Sequence, residues 1–243
     1  MEHPINPLEL LVRRLRTHAP LSQASVDAIL ALPCTMRNLE PEAYLVREAE
    51  KISVCAILVS GYAYRQKLTS DGTRQIVSLH VPGEPLDFQH LFLEVADHNV
   101  QALTTAQAAH VPHEMMRNLI LCNSEIARAA MVYLSIEASI FREWVVNVGR
   151  REAKGRLAHL LCEFAIRLDT QGLSGSDGYY LPMTQEQLGD ALGLTPVHVN
   201  RTIRALELEG LIKRDRRNIA FPDWKALAHV ADFNTRYLHI EQH

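Results

Sequence analysis

Cysteine is sparse in this 243-residue chain: there are four, at Cys34, Cys55, Cys122 and Cys162, and no two form a C-x-x-C pair. A chain this long needs no covalent staples, and a zinc or iron–sulfur site wants tighter clustering, so the thiols read as free and mostly buried. Long hydrophobic runs are missing too. The longest, such as AAMVYLSIEASIF, are interrupted by Glu137 and are too short to span a bilayer. The opening MEHPINPLELLVRRLRTHAP has no apolar signal core and no small-residue cleavage site, so a cytoplasmic location without membrane contact is expected. There is no Gly-rich phosphate loop, no G-x-S-x-G and no metal-spaced pair. Catalytic residues, an enzyme activity and a cofactor are therefore not expected. Several histidines lie between His80 and His113, but no H-x-x-x-H pair falls on a predicted helix, and no metal or haem is expected there. Internal repeats and low-complexity segments are absent as well.

Positive charge is also in short supply. The formal net charge is -3 and the pI about 6.5, so any affinity for nucleic acid has to come from local charge. Such charge exists in the C-terminal third, where Arg201, Arg204, Lys213, Arg214, Arg216 and Arg217 lie close together. An upstream group, Arg150, Arg151, Lys154 and Arg156, precedes it. Apolar residues at 47% and charged ones at 22% are enough to fill a core.

The hydrophobic period changes along the chain. NPLELLVRRL and SQASVDAILAL carry helical spacing, with Asn6 and Ser22 as N-caps. From about 33 to 111 the period is two, in AYLVREAE, KISVCAILVSGYAYRQKLT, RQIVSLHVPGE and NVQALTTAQAAHV, punctuated by Gly61, SDGT and PGE. Many short strands with regular turns suggest an antiparallel sandwich or a barrel-like, jelly-roll type β-roll in an α+β chain. Beyond PHEMMRNLI the pattern is helical. The segment 123–149 carries two apolar stripes. One is Ile126, Ala129, Tyr133, Ile136, Ile140 and Trp144; the other is Met131, Leu134, Ala138, Phe141, Val145 and Val148. At 100° per residue the stripes stand about 130° apart. A helix of this kind buries one stripe on its own domain and the other elsewhere, at lowest cost on a symmetry-related copy. The first stripe is assigned to that dimer interface. Double burial within one chain is the alternative, and Glu137, between the stripes, has no role in either.

RREAKGRLAHLLCEFAIRLD is a further amphipathic helix, and TQGLSGSDGY a Gly/Ser loop. Then comes MTQEQLGDALGLTPVHVNRTIRALELEGLI. Thr184 with Gln187 is a capping-box pair; Gly193 supplies a left-handed turn; Thr195 caps the next helix and Pro196 opens it. Helix, glycine turn and capped helix make a helix-turn-helix. Val199, Ile203 and Leu206 face a small core with Leu188, Leu192 and Leu194. Val197, Arg201 and Arg204 share the opposite face, flanked by His198 and Asn200. That face suits a major groove, where arginine bonds guanine O6 and N7 together. GLIKRDRRNIAFPD reads as a hairpin wing bringing Lys213, Arg214, Arg216 and Arg217 to phosphates.

The order of β-roll, two-striped helix and winged helix-turn-helix resembles the Crp/Fnr superfamily of bacterial transcription regulators. The likeness covers nearly the whole chain. It is strongest in the helix-turn-helix stretch and GRLAHLL, and visible in YLVREAE and VPGE. The resemblance implies three parts: N-terminal helices and a cyclic-nucleotide-binding-like roll over 1–118, a dimerisation helix over 119–150, and a winged helix-turn-helix over 151–243. It implies a homodimer on palindromic double-stranded DNA, with RNA polymerase as a further partner and a signal received by the roll. In that family the arginine matching Arg201 reads a guanine, and a glutamate commonly stands where this chain has Val197. The cyclic-nucleotide motif positions fall on Asp87, Phe88, His98 and Asn99, and two adenine-contacting hydroxyl positions on Phe141 and Arg142. These six are the effector-pocket candidates. With no arginine for the phosphate, cyclic AMP is not expected; the effector is an unknown small molecule. Nor is the cluster of the oxygen-sensing branch, since Cys34 has no close neighbour. A small-molecule receptor whose winged domain contacts protein remains the alternative.

Overall fold

The computed structural model describes residues 6–173 and 178–240; residues 174–177 of the Gly/Ser loop lie outside the described residues. Contacts divide the chain into two units. The first holds the described residues through Lys67, Ser78–Ala138 and the last described residues from His239; the second holds Leu68–Val77 and Ser139–Leu238.

In the first unit two short helices come first, α1 (Glu9–Arg16) and α2 (Gln23–Leu30). Ser22 caps α2 by accepting from the Ser25 N–H at 3.3 Å. Asn6 does not cap α1 as expected. The N-cap is Leu8, without a side-chain bond. Asn6 instead accepts from the Leu8 N–H at 2.9 Å and donates to the Leu30 carbonyl at 2.9 Å, tying the start of α1 to the end of α2.

Seven strands follow: β1 (Thr35–Leu39), β2 (Tyr44–Val46), β3 (Val54–Ser60), β4 (Ala63–Leu68), β5 (Arg74–His80), β6 (Asn99–Ala102) and β7 (Ala106–Pro112), with a short 3-10 helix at Phe88–Leu91. They form two sheets, ordered β1-β7-β3 and β2-β6-β4-β5, and the pairings of β1 and β3 with β7 and of β2 and β4 with β6 are antiparallel. Side chains alternate across β3 and β7. Ala56, Leu58, Ala106 and Ala108 join one core with Leu39, Val46 and Val100. Cys55, Ile57, Ala109 and Val111 join another with α1, α2 and the 3-10 helix. Burial on both faces explains why VCAILV is nearly continuous in apolar residues.

Two helices close the roll, α3 (His113–Cys122) and the 27-residue α4 (Ser124–Arg150). No single helix among the described residues is long and apolar enough to cross a membrane. The division between units falls inside α4, after Ala138. Here the stripe assignment is corrected. Ile126, Ala129, Tyr133, Ile136, Ile140 and Trp144 are all buried within the chain itself and offer no surface to a second copy. The polar handles decide it, because a buried Tyr or Trp needs a partner. Tyr133 donates to the Pro85 carbonyl at 3.4 Å and its ring meets Phe88 edge-on at 5.8 Å. Trp144 donates to both Glu163 oxygens at 3.1 Å. The second stripe faces outward, with Met131 and Val145 each 69% exposed. Glu137 also gains an account: it lies 3.4 Å from the buried Arg65 guanidinium of β4.

The second unit is built on α5 (Ala153–Asp169), packed against α6 (Gln185–Leu192), α7 (Pro196–Leu208) and α8 (Trp224–Val230). A small sheet of β8 (Tyr179–Tyr180), β10 (Asn218–Ala220) and β9 (Lys213–Asp215), in that order, lies beside them. Buried Glu163 collects Trp144, Arg167 and Tyr237, the last at 2.8 Å. The tip of the β4–β5 hairpin belongs to this unit, where Arg74 pairs with Asp190 at 2.6 Å.

Candidate nucleic-acid interface

Local chemistry sets each end of the helix pair. The Thr184 hydroxyl accepts from the Gln187 N–H at 3.2 Å, while the Gln187 amide oxygen accepts from the Thr184 N–H at 2.9 Å. That reciprocal pair starts α6. Gly193 ends it at φ 64°, a conformation a Cβ disfavours. Thr195 then caps α7 by accepting from the His198 N–H at 3.3 Å, with Pro196 at its first position. Leu188, Leu192, Val199, Ile203 and Leu206 are buried as the expected small core, and Leu194 is half-buried. Sequence reasoning missed Gly189. A Cβ there would stand 2.5 Å from the Leu194 carbonyl oxygen, so the turn backbone rests directly on α6.

With one face of α7 spent on this core, the other is open. Val197 is 79% exposed, and Thr195, Pro196, Arg201 and Arg204 are exposed. Among the described residues neither Arg201 nor Arg204 has a hydrogen-bond or ion-pair partner. His198 and Asn200 are half-buried at the flank, and Asn200 reaches Gln185 of α6 at 3.5 Å.

The wing is the β9–β10 hairpin, in register Asn218 to Asp215. Arg216 turns it at φ 54°. The four basic residues grouped by sequence separate here. Arg214 faces Glu207 at 3.4 Å, and Arg217 donates to the Tyr180 hydroxyl at 3.3 Å and the Pro182 carbonyl at 3.4 Å. Lys213 and Arg216 are exposed, with no such partner among the described residues. The upstream cluster is largely structural. Arg151 pairs with Glu143 at 2.6 Å and Lys154 with Glu209 at 3.0 Å, while Arg156 donates to the Leu192 carbonyl at the end of α6 at 2.9 Å.

Known proteins share both halves of this arrangement. The Crp-like helix-turn-helix domain matches residues 155–230, and the cyclic nucleotide-binding domain matches 36–123. The chain is 24% identical over 211 residues to the transcriptional activator protein FnrA of Stutzerimonas stutzeri, covering 87% of this chain and 86% of the relative. It is 25% identical over 199 residues to the transcriptional activator protein FnrL of Cereibacter sphaeroides, covering 80% and 79%. The fold is that of FixK2 from Bradyrhizobium japonicum, with a TM-score of 0.75, 24% identity, and coverage of 82% of this chain and 98% of that one. The chain belongs to the Crp/Fnr superfamily. It is a DNA-binding transcription regulator of that type, and the helix-turn-helix is its DNA-binding element.

The roll of this Crp/Fnr regulator is filled where the effector candidates were expected. Asp87 and Phe88 are each 2% exposed, Phe88 being spent on the contact with Tyr133. Burial pushes the Asp87 carboxyl up to about 7. Asn99 is buried and accepts from the Glu48 N–H at 3.0 Å. His98 is buried beside Asp97, its Nδ1 2.7 Å from Asp97 Oδ1. Phe141 and Arg142 belong to the other unit, the first half-buried and the second exposed. An arginine does stand in the roll, unseen by motif matching: Arg65 donates to the Leu86 carbonyl at 2.9 Å and faces Glu137.

Proposed function

We propose that the chain regulates transcription as a homodimer on a palindromic DNA site, with each α7 entering a major groove and the two grooves about 34 Å apart. The open face of α7 carries this reading. Arg201 and Arg204 stand exposed on a capped helix without internal partners, and a guanidinium in that state is ready for an external acceptor. Arg201 reads a guanine edge; Val197, in the place of the family's glutamate, meets a thymine methyl. His198 and Asn200 lie near enough to contribute at the flank. Arg204, Lys213, Arg216 and the N-terminus of α7 at Thr195 and Pro196 hold phosphates and supply the salt-dependent affinity.

Dimerisation runs through the outward stripe of α4. Met131, Leu134, Ala138, Phe141, Val145 and Val148 recur at steps of 3, 4, 3, 4 and 3, the heptad spacing of a two-stranded coiled coil. Three of them, Met131, Ala138 and Val145, are exposed in the single chain. The roll does not take cyclic AMP in this reading: the buried Arg65 is already engaged by Glu137 and is not open to a cyclic phosphate. A protein of this kind acts in the cytoplasm beside RNA polymerase and performs no catalysis.

Selection of random duplex DNA by the full chain, followed by footprinting, tests the reading. The expected product is a two-fold symmetric site whose selectivity drops at one base pair per half-site in Arg201→Ala. Full selectivity in that variant would overturn the assignment.

A further inference from the structure

Three side chains meet at the rim of the roll. His90 comes from the 3-10 helix, and Asp97 and His98 lead into β6. One donor atom from each falls within 4.8 Å of the others. His90 Nε2 lies 3.7 Å and His98 Nδ1 2.7 Å from the same oxygen, Asp97 Oδ1. The two rings sit with centroids 5.0 Å apart, tilted by 32°. His90 is 1% exposed and His98 5%, while the Asp97 side chain is 80% exposed. Two buried imidazoles thus stand beside one exposed carboxylate.

The hydrogen bonding around these side chains is incomplete. Both ring nitrogens of His90 are buried without a hydrogen bond, and so is Oε1 of Gln89. A buried imidazole with both nitrogens idle is costly unless something binds it. The nearby positive charge of Arg65 is opposed by Glu137.

We propose that His90, Asp97 and His98 form a binding site for one divalent first-row transition cation. Two imidazoles and a carboxylate suit zinc, cobalt or nickel rather than the all-oxygen shells of calcium or magnesium. Three protein ligands leave a fourth position for water. Bonds of roughly 2.0–2.1 Å place tetrahedral donors about 3.4 Å apart, so a pair as far apart as 4.8 Å closes by about 1.4 Å and the 2.7 Å pair of His98 and Asp97 opens by about 0.7 Å, with the exposed Asp97 side chain free to turn. The proton that His98 shares with Asp97 passes to Nε2, with no net loss. The Gln89 amide, whose Nε2 is 3.4 Å from that ring nitrogen, turns so that its idle Oε1 accepts a hydrogen bond from the new Nε2–H. A ligating histidine commonly gives its second N–H to such a partner. The sequence reading found no metal here because the donors lie on a 3-10 helix and a loop, not at helical i, i+4 spacing.

Zinc titration of the full-length apoprotein by calorimetry, with cobalt as a visible-absorption probe of tetrahedral nitrogen and oxygen ligation, decides the matter. One equivalent per chain is expected, not displaced by excess magnesium. Asp97→Asn, at an exposed side chain and checked for native circular dichroism, should weaken it by about tenfold or more. His90→Gln, checked for native circular dichroism, should remove it. No stoichiometric binding to the wild type overturns the proposal, as does binding of unchanged strength in Asp97→Asn and His90→Gln alike.

Discussion

Arg14 and Arg201 are the same residue in opposite circumstances. Arg14, on α1, is 4% exposed and lies 2.8 Å from Glu84, itself 1% exposed. Arg201, on α7, stands in water with no partner among the described residues. A guanidinium in the interior must bring its carboxylate with it, because desolvation of an unpaired charge is prohibitive. One held in solvent carries no such obligation, and its counter-charge can come from another molecule. Around the roll, charge is therefore part of the fold; on α7, in the proposed reading, it serves the function. Substitution should separate the two.

The largest effect belongs to the interior. Arg14→Ala leaves Glu84 with His80 at 3.3 Å and the Val81 N–H at 3.4 Å, and should cost about 3 kcal/mol or more of stability in urea titration, with the DNA selectivity of the folded fraction unchanged. Next is a pH effect in the second unit. Burial, reinforced by Arg151, lowers the His159 pKa to about 3, against about 6.5 in an unfolded chain. The unfolded state takes up the proton first, so stability present above pH 6.5 is lost progressively as pH falls toward 3. Urea midpoints measured across that window should decline, and His159→Phe should flatten the decline.

The same inward–outward contrast runs along α4. Val145→Asp, on the outward stripe, should shift sedimentation from dimer to monomer by about 2 kcal/mol of association energy or more; a dimer of undiminished strength would place the interface elsewhere. Arg201→Ala should leave stability within about 0.5 kcal/mol and cost about 1–3 kcal/mol of discrimination at one base pair. The smallest effect is at the wing. Arg216 holds φ 54°, which suits glycine better, so Arg216→Gly should gain up to about 1 kcal/mol of stability. The same change should lower the slope of log affinity against log salt by about 0.9 per chain, equally for all sequences.

What could be read in the sequence follows from the range of the interactions. Thr184 with Gln187, Gly193, and Thr195 with Pro196 act within three or four residues of one another, so the helix-turn-helix was legible as written. Arg65 and Glu137 are 72 positions apart, and no local pattern links them. Periodicity identified both stripes of α4, yet could not say which one the chain covers; the partners of Tyr133 and Trp144, far along the sequence, made that choice. Basic residues were legible as a group but not as individuals, since Arg214 and Arg217 find their neighbours only once the wing has folded.

Gly189 carries a last consequence. Backbone meets backbone there, with no side chain in between, so the turn that leads from α6 into α7 is set by a contact that does not depend on how side chains repack. If the outer face of α7 reads bases as proposed, exchanges there, at exposed Val197 for instance, would alter which bases are favoured and leave this backbone contact untouched.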